Sequence, residues 1–114
     1  MDLHGCDPKT FTRKSLKKFL KKLCKRIKMK RAKLVWWDYK GDKKGYKNAP
    51  AHLKGISAVQ FIQTSNITIH TLDDLGSIYL NIFSCKDFDI EIVENFTKNW
   101  FKGNIVHWES IERL

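Results

Sequence analysis

The run Asn66-Ile67-Thr68-Ile69-His70-Thr71, the segment Leu72-Asp73-Asp74-Leu75-Gly76 and the run Ser77-Ile78-Tyr79-Leu80-Asn81-Ile82-Phe83-Ser84 decide the fold. Both runs are rich in β-branched and aromatic residues. Ile67 and Ile69 alternate with polar neighbours, the pattern of a half-buried strand. The acidic, glycine-ended segment between the runs predicts a hairpin turn. Residues 56–63 and 33–39 carry the same strand signal, and residues 104–111 make a plausible last strand. Residues 40–54 are polar, contain Gly41, Gly45 and Pro50, and read as a loop.

Two helices flank these strands. Leu16, Phe19, Leu20, Leu23, Cys24 and Ile27 recur at helical spacing, with Thr12 or Ser15 as a cap. A second helix fits residues 89–102. Asp89 caps it, Glu91 and Glu94 suit the positive end of its dipole, and Gly103 is expected as its stop. The order is roughly β-α-β-β-β-β-α-β, the first strand being the weakest. This predicts an α+β two-layer sandwich: a mostly antiparallel sheet with two helices on one face.

At 114 residues the chain makes one domain, residues 1–114, with room for a real core. With 42% hydrophobic and 12% aromatic residues, a disordered chain is not expected. No apolar run approaches the ~20 residues of a membrane span. The first residues lack the basic start and apolar middle of a signal peptide. Cys6, Cys24 and Cys85 are odd in number and widely spaced, which points to a reducing, cytoplasmic setting. His4, His52, His70 and His107 share no metal-ligand spacing with them, so no metal site is expected.

The net charge of +10 belongs to one half of the chain. Residues 1–54 hold 18 Lys/Arg against 4 Asp/Glu, whereas residues 55–114 hold 4 against 8. Lys14, Lys17, Lys18, Lys21, Lys22, Lys25, Arg26 and Lys28 fill the polar positions of the first helix. The plainest reading of that face is solvated surface. A polyanion-binding module using this helix and Trp36-Trp37 is the reading from a different functional class.

One dense stretch remains. Ser65 and His70 precede Cys85 on neighbouring strands of the predicted hairpin, close enough to converge across a sheet. Strict alternation, however, puts Ser65 and His70 on opposite faces. Convergence within one chain therefore requires Ser65 to lie in a turn or bend before the strand.

Ser65-Asn66-Ile67-Thr68-Ile69-His70-Thr71 resembles the processing motif Ser-His-x-x-x-His-Thr of the prokaryotic-type S-adenosylmethionine decarboxylases. Ile82-Phe83-Ser84-Cys85 resembles that family's Val/Ile-Phe-Thr/Ser-Cys strand. Asp2-Leu3-His4-Gly5-Cys6-Asp7 resembles its Asp-Leu-Tyr-Gly-Cys-Asp. The three anchors keep their order over almost the whole chain. The resemblance implies a self-made pyruvoyl cofactor, generated from Ser65 by cleavage between Thr64 and Ser65. It assigns His70 and Ser57 to that processing and Cys85 to protonation of the product carbanion. It further implies S-adenosylmethionine as substrate and decarboxylated S-adenosylmethionine for spermidine synthesis as the product's use. It implies a homodimer with sites shared between chains. No nucleic-acid or membrane partner follows from it.

Four departures stand out. Asn66 replaces the usual histidine. Leu72-Asp73-Asp74 replaces aromatic-Pro-Glu, so Asp74 takes the place of a glutamate associated with the substrate's ribose. Thr64 stands where Glu or Lys is common. Family members also carry more apolar residues before the first motif, so either the true start lies upstream or the inner strand is missing. These departures leave two other readings: decarboxylation of another amino acid, such as ornithine or arginine, or a homologue that no longer processes.

Overall fold

The computed structural model describes residues 1–112. The strands are β1 (Asp2–His4), β2 (Arg31–Trp37), β3 (Ser57–Ile62), β4 (Ser65–Leu72), β5 (Ser77–Phe83) and β6 (Asn104–His107). The α-helices are α1 (Arg13–Arg26), α2 (Lys43–Asn48) and α3 (Ile90–Phe101). One six-stranded sheet has the order β2-β3-β4-β5-β1-β6, with every pairing antiparallel. The expected α+β sandwich is the observed one. The first strand is present, three residues long, and lies between β5 and β6.

Alternation along β4 gives the sheet its two sides. Ser65, Ile67, Ile69 and Thr71 are buried against the helices, while Asn66, Thr68 and His70 face outward. Leu16, Phe19, Leu20, Leu23 and Cys24 of α1 supply the other half of the core, each at most 1% exposed. Val93 and Phe101 of α3 join them. Phe19 stacks on Phe96 at 5.5 Å and meets Phe101 at 4.8 Å, locking α1 to α3. Thr12 caps α1 through the Ser15 amide. The Arg13 guanidinium grips Asp38 at 2.5 and 2.7 Å, tying the helix start to the end of β2. That hydrogen bond holds the Asp38 carboxyl below the usual carboxylate range.

The structure corrects three local expectations. The polar loop contains α2, started by Asp42 accepting from the Gly45 amide at 2.9 Å. Six residues without apolar periodicity leave no helical pattern to read. The last strand ends at His107, not residue 111. The left-handed residue closing α3 is Lys102, φ 55°, rather than Gly103. Gly103 is needed for another reason: a Cβ there would lie 2.4 Å from the Cys6 sulfur. Burial pushes the Cys6 and Cys24 thiols up to about 11, which suits structural rather than reactive cysteines.

Candidate active site

Two clusters of chemistry-bearing residues form on β4, one at each end. The first is built on the tight turn joining β3 to β4. Ile62 pairs with Ser65, so only Gln63 and Thr64 span the turn. Thr64 is held at φ 62°, a left-handed conformation that a β-branched side chain resists. Such a conformation costs of order 1–3 kcal/mol. The strain therefore sits on the residue whose carbonyl precedes Ser65.

Cys85 reaches this turn from the far end of β5. Its Sγ–H donates to the Thr64 carbonyl oxygen at 3.2 Å, and its backbone N–H donates to Ser65 Oγ at 3.2 Å. Ser84 shapes the approach: its hydroxyl donates to the Lys86 carbonyl and accepts from the Lys86 amide. Lys86 Nζ anchors the segment to the Lys28 carbonyl beyond α1. One residue thus contacts both the Ser65 hydroxyl oxygen and the carbonyl of the adjacent peptide bond. Such a pair of contacts can orient a hydroxyl and polarise a carbonyl.

A cavity of about 750 Å³ opens beside Cys85, between β5, α3 and the segment after β6. Its floor is apolar, with Leu80, Ile82 and Val93, and Trp108 stands on its rim. Its charged groups are the carboxylates of Asp87, Glu109 and Glu112 against the Lys86 and Met1 ammonium groups. The volume suits a drug-sized ligand, and the balance of charge favours a cation.

The second cluster lies on the outer sheet face. Ser57 Oγ and His70 Nδ1 are 2.7 Å apart across β3 and β4. Gly55 fixes that register, because a Cβ there would meet the Thr71 carbonyl oxygen at 1.7 Å. Thr71 also bonds both backbone groups of Ile56. Trp37, Ser57, His70 and Tyr79 form one cross-strand row. Asp74 sits near this end, paired with Lys54 at 3.3 Å. Its neighbour Asp73 accepts from the Tyr46 hydroxyl at 2.6 Å. That hydrogen bond, helped by burial and both carboxylates, pushes the Tyr46 phenol up to about 12.

Ser65, Thr64 and Cys85 are thus brought together, and so are Ser57 and His70. The two groups do not meet within the chain. Ser65 is the first residue of β4 and points inward, whereas His70 lies five residues on and points outward. At strand rise that is about 16 Å. Sequence reasoning missed the left-handed Thr64 and the Trp108 cavity. The two-residue gap between the strand runs carried the first signal; nothing in the sequence carried the second. Among the described residues no cluster of metal ligands occurs, and no helix is long and apolar enough to cross a membrane.

The same architecture occurs in the crystal structure of the adenosylmethionine decarboxylase from Aquifex aeolicus. The TM-score is 0.68, over 97% of this chain and 92% of that one, at 16% identity. The likeness places this chain in the fold class of that decarboxylase. The sequence pattern of the S-adenosylmethionine decarboxylase family matches residues 1–114, and the chain belongs to that enzyme family. No curated protein sequence matches it significantly.

Thr64→Gly, placed in a Ser65→Ala background, tests the strained turn. Relief of left-handed strain outweighs the roughly 0.5–1 kcal/mol of backbone entropy that glycine adds. The thermal unfolding midpoint is expected to rise, and an unchanged or lower midpoint would contradict the strain.

Proposed function

We propose that this chain is a self-processing, pyruvoyl-dependent S-adenosylmethionine decarboxylase that works as a homodimer. The observation that carries the reading is Cys85, bonded at once to Ser65 Oγ and to the Thr64 carbonyl. Ser65 Oγ attacks that carbonyl and the peptide nitrogen leaves, giving an ester. The Cys85 thiol stabilises the oxygen that gains charge. A base removes the Ser65 α-proton, the ester C–O bond breaks, and the Thr64 carboxylate departs. Water then replaces the nitrogen, which leaves as ammonia, so residue 65 carries the pyruvoyl group.

The geometry fits such a group, because residue 65 would lie at a chain end beside Cys85, which lines the cavity. A pyruvoyl group supplies the carbonyl that condenses with the substrate amine and takes up the electrons freed as CO₂ leaves. The chain's own residues do the rest. Leu80, Ile82 and Trp108 cover apolar parts of the substrate, and Asp87 and Glu109 favour its cationic centre. Cys85 delivers a proton to the carbon that lost CO₂.

The base is the difficulty that a second copy resolves. His70, oriented by Ser57, cannot reach Ser65 of its own chain. The outer face that bears it also exposes Val35, Trp37, Phe61 and Phe83, with Trp37 62% exposed. Two such faces packed together would bury this apolar surface and bring His70 and Ser57 to the other chain's Ser65. Asp74, on the same end, would approach the other chain's substrate. The product is expected to serve as the aminopropyl donor for spermidine synthesis, in the cytoplasm.

A second reading rests on Asp74. It is shorter than the family's glutamate and already paired with Lys54. A basic amino acid such as ornithine or arginine would suit the acidic cavity without a ribose contact. Release of CO₂ from each labelled substrate separates the two readings.

Intact mass under denaturing conditions tests the proposal. Two fragments, residues 1–64 and a blocked chain from residue 65, are expected from the wild type. Only the full-length mass is expected from Ser65→Ala. An uncut wild-type chain would sink the self-processing reading.

A further inference from the structure

The solvent-facing side of α1 carries seven basic residues. Lys14, Lys17, Lys18, Lys21, Lys22, Lys25 and Arg26 are all exposed on α1. At 100° per residue they cover about half of the helix circumference. Among the described residues none of them forms an ion pair. A solvated face needs no such density, and the repulsion within it opposes folding.

A groove of about 430 Å³ runs along one side of this face, between α1 and α3. Arg26, Asn95, Asn99, Phe96, Trp100 and Ile92 line it. The Arg26 guanidinium lies over Phe96 at 4.5 Å, and Lys22 Nζ lies over the Trp100 ring at 5.7 Å. Trp100 is fixed by its indole N–H donating to Ser15 Oγ at 3.1 Å. The groove thus combines aromatic rings, a guanidinium held against one of them, and two exposed amides. Ile90 and Val93 of the same helix face the Cys85 cavity instead, so the two sites lie on different sides of α3.

We propose that this side of the molecule binds single-stranded nucleic acid, independently of the decarboxylase reading. The lysine rows follow the phosphates. A base stacks on the exposed face of the Arg26 guanidinium, and Asn95 and Asn99 offer donors and acceptors to its edge. A lipid surface is the poorer partner. A membrane-lying helix needs an apolar stripe to insert, and Leu16, Phe19, Leu20, Leu23 and Cys24 are already spent in the core. A rigid anionic polymer without bases would use the lysines but leave the groove empty.

Fluorescence anisotropy with a labelled 20-mer of oligo-uridine tests this on the purified protein. Saturable binding is expected, weakening about 50-fold between 50 and 200 mM salt if roughly four phosphates are neutralised. Lys17→Gln/Lys21→Gln/Lys25→Gln is expected to lower affinity about tenfold or more and to flatten the salt slope. Asn95→Asp/Asn99→Asp is expected to weaken oligo-uridine several-fold while leaving heparin binding less affected. Circular dichroism and the unfolding midpoint establish that both variants are folded. No saturable binding at 50 mM salt would overturn the proposal. So would equal affinity for phosphatidylserine vesicles, or oligo-uridine affinity indifferent to either folded variant.

Discussion

Fully processed Cys85→Ala protein is expected to decarboxylate about 10²- to 10⁴-fold more slowly than the wild type, the usual loss when a positioned proton donor is removed. The same substitution should act differently on chain cleavage. The backbone N–H that holds Ser65 Oγ survives in alanine, and only the thiol contact to the Thr64 carbonyl is lost. Cleavage should therefore slow, by about tenfold to a hundredfold for one weak donor aimed at a developing oxyanion, and still reach completion on long incubation. Cys85→Ser separates the two roles further. A serine hydroxyl keeps a donor near the carbonyl but is a much weaker acid than a thiol. Cleavage close to the wild-type rate, together with strongly reduced turnover, is the expected pattern. Turnover of processed Cys85→Ala within twofold of wild type would remove Cys85 from the proton-delivery role. The measurements are the time course of intact mass and of labelled CO₂ release.

The sheet and both long helices were legible because each rests on a strong local pattern. Ile67 and Ile69 alternate with polar neighbours, and Leu16 to Ile27 keep one stripe of α1 apolar. The short helix α2 has no stripe at all, and its only mark is Asp42 at the cap. Gly103 illustrates a different limit. Its position after α3 suggests a helix stop, but its requirement comes from Cys6, a residue almost a hundred positions away. No local pattern contains that contact.

The candidate site was legible as a set of residues and not as a set of distances. Ser65, Cys85 and Thr64 converge because a two-residue turn and the end of β5 meet at one sheet end. Ser57 and His70 converge because they are register partners. The period of a strand then keeps these two pairs apart, since residues 65 and 70 differ by an odd number. A bend at Ser65 would have been the single-chain solution. The structure instead begins the regular strand at Ser65 itself, and puts the distortion one residue earlier, in Thr64.

The opposite facing of Ser65 and His70 has a sharp consequence for mixed oligomers. A dimer with shared sites draws Ser65 and Cys85 from one chain and His70 and Ser57 from the other. His70→Ala alone should stay uncut, because each Ser65 lacks its base, and Ser65→Ala alone should stay uncut for want of a nucleophile. Co-expressed, the two defects fall on the same site of a mixed dimer and leave the other site intact. That intact site contains the Ser65 of the His70→Ala chain and the His70 of its Ser65→Ala partner. With random pairing in a two-fold dimer, about half of the His70→Ala chains should therefore be cleaved, and none of the Ser65→Ala chains. Chains of different tag length make the two distinguishable by intact mass. Cleavage of His70→Ala by itself would show that His70 is not required. A mixture in which both chains remain whole would place the base within the same chain, and the outer sheet face would then lose its role in bringing the two halves of the site together.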